Sequence, residues 1–124
     1  MTLAAIRDLL AEMRLADAYG IGRINDAQER SVGVYDRAGR GAPVTAIGGA
    51  GSYGIRPVRI LYHGTENAAA TEDAARRIWD AVTAIRRNGG VLFARPMMTG
   101  PAAVGTDRSG IYEYIMDFDV YYTK

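Results

Sequence analysis

The chain has 124 residues, 48% of them hydrophobic and 23% charged, a composition that fits one ordinary globular domain and excludes a disordered or fibrous chain. Fifteen Lys and Arg stand against fourteen Asp and Glu, a net charge of +1, so no electrostatic argument favours nucleic acid or an anionic membrane as the main partner. With no cysteine, a disulfide framework, thiolate metal sites, cysteine nucleophiles and thiol redox chemistry are all excluded.

The N-terminal Met-Thr-Leu-Ala-Ala-Ile-Arg-Asp-Leu-Leu has neither the basic start nor the apolar run of a signal peptide, and no apolar stretch approaches the ~20 residues that span a bilayer, so a soluble, intracellularly made protein is expected. A domain this small buries only about two thirds of its unfolded surface, which makes assembly with further copies a natural source of stability.

Taken in chain order, Leu3, Ile6, Leu10 and Met13 recur at helical spacing with Leu9 beside them, predicting a surface helix from residue 2 to about 15 with Thr2 as its cap. Gly20 and Gly22 interrupt that pattern, and Ile21 to Ile24 and Ser31 to Tyr35 read as short strands with Asn25 and Asp26 near the bend between them. Arg37 to Gly54 is rich in glycine and long for a structureless connection, the mark of a loop that either has a job or is mobile. Arg56 to His63 returns to strand, with Val58, Ile60 and Tyr62 on one face and Arg59, Leu61 and His63 on the other, and Pro57 suggests that its start lies near an edge or end.

Thr71 followed by Glu72 and Asp73 reads as the start of a second helix, whose apolar stripe is Ala75, Ile78, Val82 and Ile85 and whose end is marked by Arg86, Arg87 and Gly89. Val91 to Ala94 is a short strand stopped by Pro96, and Thr99 to Ser109 is a second flexible stretch. The final segment alternates with period two: Tyr112, Tyr114, Met116, Phe118, Val120 and Tyr122 form one face, and Glu113, Asp117 and Asp119 share the other with Ile115 and Tyr121. The sum is a single α+β domain, residues 1 to 124, with a mixed, mainly antiparallel sheet of about four to five strands and two α-helices packed on it. Strands flanking the second helix, if adjacent and parallel, should make a right-handed crossover.

Four patterns invite a chemical reading. Gly49-Ala-Gly-Ser-Tyr-Gly54 spells the dinucleotide-binding fingerprint, yet β-forming residues follow it where a helix must begin. Ala50-Gly-Ser-Tyr-Gly54 approximates a nucleophile elbow with His63 as a conceivable base, again without the helix that exposes the serine. Asp117 and Asp119 share a strand face at a spacing that suits a metal or an acid/base pair, but no further ligands are apparent and pairing with arginines is the simpler role. The tyrosines of the last strand are interleaved with acids rather than the bases that a nucleic-acid platform needs.

In their order and spacing, Val32-Gly-Val-Tyr-Asp36, Ser52-Tyr-Gly-Ile-Arg-Pro-Val-Arg-Ile-Leu-Tyr-His63, the Thr71-Glu-Asp-Ala-Ala helix and Gly105-Thr-Asp-Arg-Ser-Gly-Ile-Tyr-Glu-Tyr-Ile-Met-Asp-Phe-Asp-Val-Tyr-Tyr122 resemble the tail-terminator, or minor capsid, proteins of long-tailed bacteriophages. The Arg37 to Gly51 loop departs from that pattern in length and glycine content. The resemblance implies a homo-oligomeric ring, usually of six copies, in the virion. It would sit at the head-proximal end of the tail tube, stop tube polymerisation and dock head-completion or connector proteins, with genomic DNA passing through unread. It implies no catalysis, metal, cofactor or membrane. Another head-tail connector or minor capsid component is the nearest alternative, and a small hydrolase or nucleotide-binding enzyme a more distant one. Within the ring reading, Glu113, Asp117 and Asp119 are expected to meet Arg56 or Arg59 of the same or a neighbouring copy, and Arg37, Arg40 and Tyr53 to contact the tube or connector.

Overall fold

A computed structural model describes residues 1–22, 24, 28–37 and 53–123. The element order is α1 (Leu3–Glu12), β1 (Ala18–Ile21), β2 (Ser31–Asp36), β3 (Tyr53–His63), α2 (Ala68–Thr83), β4 (Val91–Pro96), β5 (Ala102–Thr106) and β6 (Tyr112–Thr123). The strands form one sheet in the order β1-β2-β3-β6-β4, and β5 pairs with β6 beyond the end of β4. All pairings are antiparallel except that of β1 with β2. The α+β class therefore holds, with six strands among the described residues where four to five were expected.

Helix α1 begins as its sequence suggests, with the Thr2 hydroxyl accepting from the Ala5 amide at 3.1 Å. Its buried stripe is Ile6, Leu9 and Leu10. Helix α2 starts earlier than expected: Asn67 is the cap, its side-chain oxygen accepting from the Ala70 amide at 3.0 Å. Thr71 is instead a buried residue inside the first turns, where its hydroxyl donates to the Asn67 carbonyl at 2.8 Å and accepts from the Thr65 amide at 3.1 Å. The helix ends at Thr83, short of the expected Arg86 and Arg87, although the Arg86 guanidinium reaches back to the Thr83 carbonyl at 2.9 Å.

Both helices lie on one side of the sheet. Ala75, Ile78, Trp79 and Val82 from α2, with Ile6, Leu9 and Leu10 from α1, pack onto Val32, Val34, Val58, Ile60, Tyr62, Met116, Phe118 and Val120. These strand residues share one parity along each strand, as alternation requires. Trp79 and Phe118 meet at the centre, ring centroids 4.9 Å apart.

Four expectations about strands are corrected. The first strand is Ala18–Ile21 rather than Ile21 to Ile24, with Gly20 inside it opposite Gly33. Gly33 is needed there because a Cβ would lie 2.7 Å from the Ile24 side chain and 2.8 Å from the Tyr35 ring. β3 is central and begins at Tyr53, so Pro57 lies in its interior rather than near an edge or end. The Pro57 carbonyl accepts from the Arg37 amide at 3.2 Å, which places its missing N–H on the β2 side just where β2 ends, and the ladder to β6 loses nothing. β4 runs through Pro96, and part of the supposedly flexible 99–109 stretch is β5, the first arm of a hairpin with β6. β3 and β4 flank α2 but are separated by β6, to which both are antiparallel.

Candidate functional site: the uncovered face of the sheet

The odd-numbered residues of β3 and β6 project from the side opposite the helices, where all but the buried His63 keep some exposure among the described residues. The register sets Arg59 opposite Asp117, Leu61 opposite Ile115 and His63 opposite Glu113. These pairings make a ladder across the two central strands.

Arg59 grips Asp117 in a two-pronged ion pair, Nε to Oδ1 at 2.8 Å and Nη2 to Oδ2 at 3.0 Å. The Arg59 hydrogen bonds, aided by the charges of Arg59 and Arg37, hold the Asp117 carboxyl below its ordinary range against the opposing effect of partial burial. Arg37, one residue past β2, reaches over Pro57 to Asp119, and its Nη2 also approaches the Phe118 carbonyl at 3.4 Å. Asp117 and Asp119 are thus met by arginines of their own chain, and Glu113 by His63.

Arg56 has the other parity and is separated from these acids by the sheet. It bonds Asp36 at 3.3 Å and the Met1 carbonyl at 3.0 Å. Arg40, Ser52 and the first residues of the Gly49 to Gly54 motif lie outside the described residues.

At the β3 end of the ladder, His63 is fully buried between two carboxylates, with Nδ1 2.9 Å from Glu113 and Nε2 3.7 Å from Asp107. Asp107 belongs to the β5–β6 turn. The Ile111 amide, with those of Ser109 and Gly110 and the nearby imidazole, holds its carboxyl low despite some desolvation. Ser31, opposite His63 on β2, donates its hydroxyl proton to the Gln28 carbonyl at 2.9 Å and so is already engaged. Among the described residues no group of three His, Asp or Glu side chains suits a metal ion. No described helix is long and apolar enough to cross a membrane.

At the opposite end the face becomes aromatic. Tyr121 is stacked between Phe93 of β4, 4.4 Å away and 13° from parallel, and Tyr53 of β3, 5.9 Å away. Phe93 is among the exposed large apolar side chains, with Ile21, Met97 and Val104.

No family model and no curated protein matches this chain. Of the residues singled out in the sequence, Arg37, Tyr53, Arg59, Glu113, Asp117 and Asp119 come together on one face, while Arg56 does not. Phe93 and Asp107 were missed. Phe93 alternates correctly with Ala94 in a short apolar run, but nothing local reveals that Tyr121 will be its neighbour.

Proposed function

We propose that this chain is a ring-forming virion subunit of the tail-terminator kind, acting by stoichiometric assembly on the head-proximal end of a phage tail tube. The observation that carries this reading is the uncovered sheet face, where self-neutralised ion pairs adjoin the Tyr53–Tyr121–Phe93 stack. Such a surface can be buried against another protein at low electrostatic cost, because each arginine already has its carboxylate, while aromatic side chains supply contact area. The order of the Val32, Ser52, Thr71 and Gly105 segments supports the same reading. In a head-to-tail ring each copy uses two different surfaces, and the projecting β5 arm, with Val104 58% exposed, offers a second. A neighbouring head-tail connector role would use the same face.

Electron microscopy of tails carrying a labelled copy of the protein tests the assignment. Label confined to the head-proximal end of the tail is expected, and a Phe93→Asp variant that folds normally should lose that position. Label on the head shell, or none in particles, would overturn the reading.

A further inference from the structure

On the helix side of the sheet, the end of α1, the turn before β2 and the first turns of α2 surround a cleft of about 290 Å³, room for roughly ten water molecules. Arg14, Arg30 and Arg77 stand around it, and Tyr62, only 2% exposed, forms part of its wall. Asp73 is bound to Arg77 at 3.3 Å, but Arg14 and Arg30 have no hydrogen-bonded or carboxylate partner for their side chains among the described residues. Nor does the Tyr62 hydroxyl donate to any described residue. A buried phenol and two exposed arginines without a side-chain partner among the described residues are all donors, and they line a cleft that also holds Asp17, whose charge acts on Tyr62.

The backbone supports the same point. Arg14 has φ 54° and Arg30 φ 55°, a left-handed conformation that L-residues seldom adopt. Arg14 follows the C-cap Met13 of α1, the position where glycine is the ordinary occupant. Arg30 is held by its amide on the Gly64 carbonyl at 3.1 Å and by its carbonyl accepting from Asp17 at 2.7 Å, which stitches the two rims together. Glycine would fit both positions with less strain. What arginine adds at each is an exposed cationic side chain on a residue that lines the cleft. Arg87, the third such residue, sits in the tight turn before β4.

We propose that this cleft binds a phosphorylated small molecule, its phosphoryl group held by the Arg14 and Arg30 guanidiniums and the Tyr62 hydroxyl. A phosphoryl group offers three acceptor oxygens to these three donor groups, whereas a carboxylate offers two. The volume exceeds what a bare phosphate fills, and Leu15, Ala16 and Ala74 give an apolar wall for an organic substituent. Burial pushes the Tyr62 phenol up, with the Arg30 and Arg77 charges opposing and Asp17 and Tyr19 adding to it, so the hydroxyl keeps its proton at neutral pH and can donate it. This site is on the far side of the sheet from the assembly face and stands or falls independently of the ring reading.

The test is calorimetric titration of the full chain with phenyl phosphate and with benzoate at matched ionic strength. Saturable binding of phenyl phosphate, at least about tenfold tighter than benzoate, is expected. Arg14→Gly and Arg30→Gly relieve the left-handed strain, so each should fold with an unchanged or higher Tm yet weaken phenyl phosphate about tenfold, and Tyr62→Phe should weaken it roughly threefold. The proposal is overturned by absence of saturation up to about 10 mM phenyl phosphate, by benzoate binding equally well, or by unchanged affinity in the folded Arg14→Gly, Arg30→Gly double variant.

Discussion

If Arg59 and Asp117 are partners within one chain, a double-mutant cycle on the isolated protein must detect their coupling. Asp117→Ala removes the acceptor of two hydrogen bonds, at 2.8 and 3.0 Å, and Arg59→Ala removes both donors. Fully exposed pairs couple by about 0.2–1 kcal/mol, and hydrogen bonds to charged groups in protected sites reach about 1.5–3 kcal/mol. Here the Asp117 side chain is 17% exposed and that of Arg59 45%. Solvent screening of the arginine therefore holds the expected coupling to about 1 kcal/mol at pH 7.

The pH dependence has a definite sign. The folded carboxyl titrates below its ordinary 3.8, chiefly because of the Arg59 hydrogen bonds, so the native state favours the ionised form. The stabilisation is complete above the unfolded value of about 3.9 and is lost as pH falls through the folded one. Urea denaturation of the four proteins, followed by Trp79 fluorescence, should show constant coupling from pH 7 to about 5 and a decline below about 3.8. A coupling under about 0.3 kcal/mol at pH 7, or one unchanged down to pH 2, would refute the assignment of Arg59 as the partner of Asp117.

Two further substitutions test the helix side of the fold. Phe118→Ala empties a fully buried site against Trp79 and should cost about 3–5 kcal/mol with a red shift of tryptophan emission; a loss below about 1.5 kcal/mol by urea denaturation would contradict the packing. Asn67→Ala should cost about 1 kcal/mol as the loss of a helix cap, whereas Thr71→Val keeps the shape but strips the partly buried Thr65 amide of its acceptor and should cost about 1–2 kcal/mol. Equal and negligible effects in thermal denaturation would argue against both roles.

Legibility in the sequence followed the range of the interaction. The Thr2 cap lies within one helical turn of its partner and could be read directly, but the Asn67 cap was hidden by Thr71, whose acidic neighbours Glu72 and Asp73 imitate a first turn. Pro57 misled because a proline in a strand suggests an edge, and only the point where β2 stops shows why a central position tolerates it. β5 is short, holds Gly105 and exposes Val104, so it carries no amphipathic signal and exists as a strand through its pairing with β6. The 290 Å³ cleft draws on four separate segments of the chain, and none of them is distinctive alone.

By itself the sequence determined the α+β class, the two apolar helix stripes and the division of β3 and β6 into a buried and an open face. These follow from side-chain periodicity, a local property of the backbone. Tertiary structure alone decided the β3–β6 register, which sets Arg59 on Asp117 and His63 between Glu113 and Asp107, and it set Arg56 apart and stacked Phe93 on Tyr121. Alternation says which face a residue occupies, but its neighbour there depends on how whole strands slide past one another. That choice is made by the summed packing of residues such as Val58, Ile60, Met116 and Phe118 across the sheet.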